Sequence, residues 1–162
     1  MAVTISAKAR LYTIPLILVA ADQASKWIML ELIFTPPRVI NLLPFLNLTP
    51  VWNKGISFGM LGDAGAWAPW VLTIIALAVG VALPLIARGW GRLSRGGAMM
   101  MAGGAVGNAI DRIIHGKVVD FIDIFAGPWH WPAFNVADMA IVLGAGLIIL
   151  GSVREGRSSD KA

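Results

Sequence analysis

The longest stretch of the chain without a charged residue does most to limit its possible folds. Residues 64–87 form a run of 24 uncharged, mostly apolar positions. At about 1.5 Å per residue, an α-helix of this length crosses a hydrocarbon core of roughly 30 Å. Because 57% of the 162 residues are hydrophobic and only 14% are charged, the sequence predicts a single membrane domain over residues 1–162.

Three further segments are predicted to cross the membrane with ionisable residues at or inside its edge. Residues 96–110 and 139–153 are uncharged, but each covers only about 22 Å as a helix, so the flanking aspartates must lie close to the membrane. The first segment contains Asp22 and Lys26. The predicted fold is therefore mainly α and polytopic, with four transmembrane helices at about residues 11–33, 64–87, 96–114 and 134–153.

The basic residues predict how these spans are oriented. Eight of the thirteen Lys and Arg residues flank the same ends of the four spans: Lys8, Arg10, Arg88, Arg92, Arg95, Arg154, Arg157 and Lys161. The positive-inside rule places these ends, and with them both termini, in the cytoplasm. Residues 34–63 and 115–133 are then periplasmic. The prolines and short apolar runs of the first of these segments predict a small strand-rich element at the membrane surface.

The N-terminus allows a second interpretation. Lys8 and Arg10, followed by an apolar run and the small residues of VAA, are also typical of a secretory signal peptide with its cleavage site. The apolar pattern resumes after Lys26 with WIMLELIF. Together with three further spans, this favours a first transmembrane helix.

Ionisable side chains are predicted to converge near the periplasmic ends of the spans. Lys26, Asp111 and Asp138 each lie 16 residues from a cytoplasmic arginine of the same span, about 24 Å along a helix. Asp22 lies one turn deeper and four residues before Lys26, so the two can form an ion pair that fixes the helix register. Asp111, with Arg112 beside it, favours a structural network.

Asp120 and Asp138 are harder to explain as structural residues. Each lies in an apolar segment, DFIDIF or FNVADMAI, with no neighbouring cation in sequence. Two carboxylates held close together share a proton, and such a dyad can activate water through one member and donate a proton from the other. Helix depth alone does not decide between Asp120 and Asp111 as the partner of Asp138. Asp123 is interpreted as a solvated loop acid.

Other chemistries have weaker support. The chain has no cysteine and only two histidines, neither in a metal-binding motif, and its basic residues form no patch typical of nucleic-acid binding. A serine–lysine pair could be formed by Ser25 with Lys26 or by Ser57 with Lys54. Ser25 is poorly placed for this, because adjacent residues point to different helix faces. A proton-conducting bundle using Asp22, Asp111 and Asp138, or a structural assembly subunit, are further alternatives.

Five motifs resemble those of the lipoprotein signal peptidases, or signal peptidase II, a family of aspartyl membrane peptidases. They follow the family order across nearly the whole chain: DQASKW (22–27), NKGISF (53–58), GGAVGNAIDR (103–112), VVDF (118–121) and PAFNVAD (132–138). Each motif is short, but five in order are highly specific. The resemblance implies a bacterial inner-membrane endopeptidase that removes signal peptides from diacylglyceryl-modified prolipoproteins, N-terminal to the lipidated cysteine.

The resemblance also implies a role for each polar motif position. Asp120 and Asp138 correspond to the catalytic dyad, which selects Asp120 over Asp111. The substrate-binding and supporting positions are Asn53, Gly55, Asn108, Arg112 and Asn135, and the structural polar positions are Asp22, Lys26 and Asp111. The expected partners are the lipid-modified prolipoprotein, membrane lipid and globomycin-type inhibitors. No metal or cofactor is expected, and the chain is expected to be a monomer.

Overall fold

Four long α-helices make up most of the fold. The protein is seen as a computed structural model, which describes residues 11–55 and 67–159. The helices are α1 (Thr13–Ile33), α2 (Ala68–Ile86), α3 (Arg92–His115) and α4 (Val136–Ser159), with a 3₁₀ turn at Ala87–Gly89 after α2. The mainly helical prediction is confirmed. The helix α3 begins four residues before the predicted third span, and α4 ends six residues after the predicted fourth.

The helix α3 lies at the centre of the bundle and packs against α1, α2 and α4. Its small residues allow the close approach that the sequence predicted. Gly97 faces Gly144 of α4 so closely that a Cβ on either would collide with the backbone carbonyl of the other. A Cβ on Gly107 would lie 2.5 Å from Asp22 Oδ2 of α1. These contacts bring the polar residues of α1, α3 and α4 together.

A small antiparallel sheet lies beside the helices. Its strands are β1 (Ile40–Leu43), β2 (Leu46–Asn53), β3 (Val118–Ala126) and β4 (Trp129–His130), in the spatial order β1-β2-β3-β4. The first two strands confirm the strand-rich element predicted between α1 and α2. The strands of the second segment were not predicted from the sequence. The start of β3 is buried continuously from Val118 to Phe121, so it lacks the alternating pattern of a half-buried strand.

The sheet is anchored to the bundle by an apolar cluster at the end of α1. Ile33, Val119 and Phe121 are buried together in this cluster. Because successive side chains of a strand point to opposite faces, Asp120 points away from the side on which Val119 and Phe121 pack. The cluster thereby fixes the direction of the Asp120 carboxylate.

Two of the helices are long and apolar enough to cross a membrane among the residues described. One is α2 with its 3₁₀ turn, Ala68–Gly89, and the other is the greater part of α4, Val136–Gly156. The helices α1 and α3 are of similar length but carry more charged residues, among them Asp22, Lys26 and Asp111. Membrane crossing by α1 and α3 stays a prediction.

Candidate active site

Asp120 lies near the start of β3 with its side chain buried. Asn53 Nδ2 donates a hydrogen bond to its Oδ2 at 2.9 Å, and Asn135 Nδ2 donates to its Oδ1 at 2.7 Å. One donor comes from the paired strand β2 and the other from the residue that precedes α4. The carboxylate is therefore fixed between the sheet and the helix bundle.

Asp138 lies in the first turn of α4. Its Oδ2 accepts a hydrogen bond from the backbone N–H of Asn135 at 3.2 Å, and its own N–H donates to Asn135 Oδ1 at 3.0 Å. This reciprocal arrangement is a capping box at the helix N-terminus. Asn108 Nδ2 donates to the remaining oxygen, Oδ1, at 2.7 Å.

Asn135 connects the two carboxylates. Its buried side chain donates to Asp120 and accepts from the backbone of Asp138. Its amide nitrogen also lies 3.1 Å from Asn108 Oδ1, with Asn135 as the donor. The two acids that resemble the family dyad thus converge on one amide side chain.

The two acids differ in their electrostatic surroundings. The pKa of Asp120 is raised from 3.8 to about 6, chiefly because the side chain is buried. The nearby charge of Asp138 adds to this rise, and the hydrogen bonds from Asn53 and Asn135 oppose it. A carboxyl group with a raised pKa can hold a proton close to neutral pH and donate it in a reaction. Asp120 is therefore suited to the acid role in such a pair.

A buried ammonium group lies behind the candidate dyad. Lys26 Nζ is 2.8 Å from Asp22 Oδ2 and 3.0 Å from Asp111 Oδ2, and it donates to Asn108 Oδ1 at 3.0 Å. The predicted pair of Asp22 with Lys26 is confirmed. The cation that pairs with Asp111 is Lys26 of α1 rather than its neighbour Arg112, because adjacent residues lie on different faces of a helix.

The remaining bonds of this group tie the elements together. Asp111 Oδ2 accepts from the N–H of Val119 at 2.9 Å, which fixes the start of β3. Asp22 Oδ1 accepts from the N–H of Ala137 at 2.9 Å, which fixes the start of α4. Gln23 Nε2 donates to Asp111 Oδ1 at 2.9 Å. These contacts connect α1, α3, β3 and α4, and the structural role of both aspartates stays a prediction. The bridging position of Gln23 was not predicted.

Asn53 is oriented by the turn that follows it. Its Oδ1 accepts a hydrogen bond from the N–H of Gly55 at 2.8 Å, which directs its Nδ2 towards Asp120. Gly55 has φ of +102°, a conformation that glycine adopts readily and other residues rarely do. The two-residue spacing of Asn53 and Gly55 in the motif therefore allows the backbone of Gly55 to orient the Asn53 side chain.

A cavity of about 550 Å³ opens beside Asp138 and beside Asn53, the residue that donates to Asp120. Polar groups and the turn glycine line one part of it: Asn53, Gly55, Arg112 and Asp138. Apolar residues line the other part: Trp131, Ala133, Phe134, Met139, Val142 and Leu143. The Arg112 guanidinium donates to the backbone oxygen of Asn108 at 3.3 Å, while its buried Nε has no hydrogen-bond partner among the described residues.

The interpretation of Asp123 as a solvated loop acid is wrong. Asp123 lies within β3 and is buried. Its Oδ2 accepts from Asn47 Nδ2 at 3.3 Å, and its Oδ1 lies 2.8 Å from His130 Nδ1. These partners lie on other strands, so the residues next to Asp123 in sequence do not reveal them.

The serine–lysine alternative has little structural support. The hydroxyl of Ser25 donates to the backbone oxygen of Asp22 at 2.7 Å. The Lys26 ammonium contacts the side chains of Asp22, Asp111 and Asn108 instead of Ser25. Ser57 lies outside the described residues. Within residues 11–55 and 67–159, no three His, Asp or Glu side chains are grouped so that they could hold a metal ion.

Comparison with known proteins identifies the family. The profile of the family described as Signal peptidase (SPase) II matches residues 14–154. A lipoprotein signal peptidase of Burkholderia thailandensis is 42% identical over 150 residues, which cover 90% of this chain and 89% of the relative. A lipoprotein signal peptidase of Shewanella loihica is 45% identical over 148 residues, which cover 88% and 85%.

Two solved structures, each described as a bacterial membrane enzyme determined by the in meso method, share the fold. One has a TM-score of 0.73 and 30% identity and covers 92% of this chain and 89% of its own. The other has a TM-score of 0.68 and 32% identity and covers 85% and 88%. The five motifs, the profile match and these relatives agree: the chain belongs to the signal peptidase II family.

Proposed function

We propose that this protein is an aspartyl endopeptidase that removes the signal peptide from diacylglyceryl-modified prolipoproteins, on the N-terminal side of the lipidated cysteine. The relatives named as lipoprotein signal peptidases support the substrate class. The observation that carries the mechanism is the convergence of Asp120 and Asp138 on Asn135, with Asp138 at the wall of the cavity.

The two acids take different roles in the proposed reaction. Asp138, in the first turn of α4, is the base and accepts a proton from a water molecule as the water oxygen attacks the scissile carbonyl carbon. Asp120 carries the proton at the start, as its raised pKa favours, and donates it to the carbonyl oxygen. Collapse of the tetrahedral intermediate breaks the C–N bond, and the amine leaves with a proton returned by the dyad.

The supporting residues hold this geometry. Asn53 and Asn135 donate to Asp120, and Asn108 donates to Asp138. Gly55 and Arg112 line the cavity where the peptide would lie, and the Arg112 guanidinium would donate to the peptide backbone. Lys26 forms ion pairs with both Asp22 and Asp111, and we assign these two acids a structural role.

The cavity suits a substrate that stays in the lipid. Its apolar part is formed by α4 residues such as Met139, Val142 and Leu143, whose side chains are also exposed on the outside of the helix. A signal helix and acyl chains could therefore enter sideways from the bilayer. The enzyme would be a monomer in the bacterial inner membrane, with four spans, cytoplasmic termini and the site at the periplasmic face. A globomycin-type inhibitor would bind against the dyad.

Cleavage by the purified protein in detergent tests the proposal. One prolipoprotein would be offered in two forms, with and without the diacylglyceryl group on its cysteine, and mass spectrometry would locate the cut. We expect cleavage of the modified form alone, with the lipidated cysteine as the new N-terminus, and inhibition by globomycin. Equal cleavage of both forms, or a cut elsewhere, would contradict the proposed specificity.

A further inference from the structure

Polar side chains form a ladder across all four strands of the sheet. Asn41 Nδ2 of β1 donates to Asn47 Oδ1 of β2 at 2.7 Å, and Asn47 Nδ2 donates to Asp123 Oδ2 of β3 at 3.3 Å. His130 of β4 completes the ladder, with its Nδ1 2.8 Å from Asp123 Oδ1. The mechanism above uses none of these four residues. Asp123 lies on the face of β3 opposite to Asp120, because the two are an odd number of positions apart.

The last strand of this ladder is weakly held by its backbone. The strand β4 has two residues, and it pairs with β3 through Phe125 opposite His130 and Ala126 opposite Trp129. The Phe125 ring stacks on the imidazole with 5.2 Å between ring centroids. A segment with so few backbone contacts opens at low cost. The His130 side chain adds its contacts with Asp123 and Phe125 to the few backbone contacts of β4.

The residue after this strand forms part of the cavity. Trp131 donates its N–H to the backbone oxygen of Ile124 at 2.8 Å, and its side chain lines the same cavity as Asp138 and Leu143. Because Trp131 follows His130 directly, a shift of β4 would move the indole away from α4. The position of β4 thus sets the width of the apolar part of the cavity.

We propose that Asp123 and His130 are positioning residues that hold Trp131 against the apolar part of the substrate. This inference rests on the proposed function, because it concerns substrate binding at the same cavity. Asp123 is the charged group that contacts His130 among the residues described. The contact is an ion pair when the imidazole is protonated and a hydrogen bond when it is neutral, so it persists in both forms. The hydrogen bonds of Asp120 and Asp138 involve neither Asp123 nor His130.

Kinetics of the His130→Ala variant test the inference. We expect KM to rise about two- to tenfold, the effect of losing one hydrogen bond, while kcat stays at the wild-type value. Trp131→Ala should raise KM at least as much, and adding His130→Ala to it should raise KM no further, because both changes act through one side chain. Asp123→Ala removes the acceptor and should repeat the effect of His130→Ala. The matched control is His115→Ala, which removes the other histidine and should leave both constants unchanged.

A second measurement does not depend on cleavage. The chain has no cysteine, so Trp129→Cys would carry a single nitroxide label beside His130. Adding His130→Ala should increase the mobility of this label in the electron paramagnetic resonance spectrum, and adding His115→Ala should not. An unchanged label mobility, or a loss of kcat with KM unaffected, would overturn the inference. Failure of the wild-type protein to cleave any prolipoprotein would instead contradict the proposed function and leave the label result to decide this point.

Discussion

Asp120 is the residue whose ionisation depends most clearly on the fold. Its pKa in the folded protein, about 6, lies above the ordinary 3.8 because the side chain is buried. The folded state therefore binds this proton more tightly than the unfolded state does. The resulting contribution to stability is fully present below about pH 4 and is lost as the pH rises through about 6.

Replacing Asp120 by asparagine should make stability less dependent on pH. The gap between the two pKa values corresponds to about 3 kcal/mol at most. Melting temperatures in detergent at pH 4 and pH 7 would measure the effect, and the wild type should lose more stability across this range than Asp120→Asn does. Glu31→Gln is the control, because it removes an exposed carboxylate. Its melting temperature should depend on pH as that of the wild type does. Parallel curves for the wild type and Asp120→Asn would contradict the assigned pKa.

Gly55 is a second residue at which the fold accepts only one kind of side chain. An added Cβ would meet Leu72 Cδ1 at 2.6 Å, and the φ of +102° is strained for alanine. Because the N–H of Gly55 orients Asn53, we expect Gly55→Ala to lower kcat/KM about tenfold or more. Gly116→Ala is the matched control: Gly116 also has a positive φ, but a Cβ there meets nothing within 4 Å. If Gly55→Ala were as active as Gly116→Ala and the wild type, the orientation of Asn53 would be unimportant for cleavage.

The helix α3 controls the site at the scale of elements. It carries Asn108, Asp111 and Arg112, and its glycines set the distance to α1 and α4. A Cβ on Gly107 would lie 2.5 Å from Asp22 Oδ2. The resulting displacement of α1 would disturb the contact of Lys26 with Asn108.

We therefore expect Gly107→Ala to lower both the melting temperature and the cleavage rate. Gly96→Ala is the control on the same helix, because a Cβ at Gly96 meets nothing within 4 Å. That change should be neutral or stabilise the helix by up to about 1 kcal/mol. Thermal unfolding and cleavage assays on the two variants check both outcomes. A Gly107→Ala variant as stable and active as the wild type would contradict the close packing of α1 on α3.

The elements were predictable from the sequence to different degrees. Uncharged runs and 16-residue spacings located the helices and placed Lys26, Asp111 and Asp138 at one level, because helix length is fixed by residue count. The strand β3 was missed because its first four residues are buried together. The contacts of Asp111 with Lys26 and of Asp123 with His130 were not predicted, since neighbours in sequence say little about contacts between elements. The choice of Asp120 came from the family resemblance rather than from spacing.

At the scale of the whole molecule, the predicted orientation in the membrane can be measured directly. The absence of cysteine allows single cysteines at Trp129 and at Lys161 to be labelled with a membrane-impermeant maleimide. In cells with a permeabilised outer membrane, we expect Trp129→Cys to react and Lys161→Cys to react only after the inner membrane is opened. The opposite pattern would contradict a cytoplasmic C-terminus, and labelling of both from outside would contradict the prediction that one span, residues 134–153, separates the two positions.

The central claim is that Asp120 and Asp138 together hydrolyse the peptide bond. The most direct test compares cleavage of a diacylglyceryl-modified prolipoprotein by the wild type, Asp120→Asn, Asp138→Asn and the control Glu31→Gln, each shown to be folded. Asparagine keeps the size of the side chain but cannot exchange the proton. We predict that both dyad variants lose activity by about 10²-fold or more, while Glu31→Gln cleaves normally. Cleavage at the wild-type rate by either dyad variant would contradict the account and make Asp111 the next candidate.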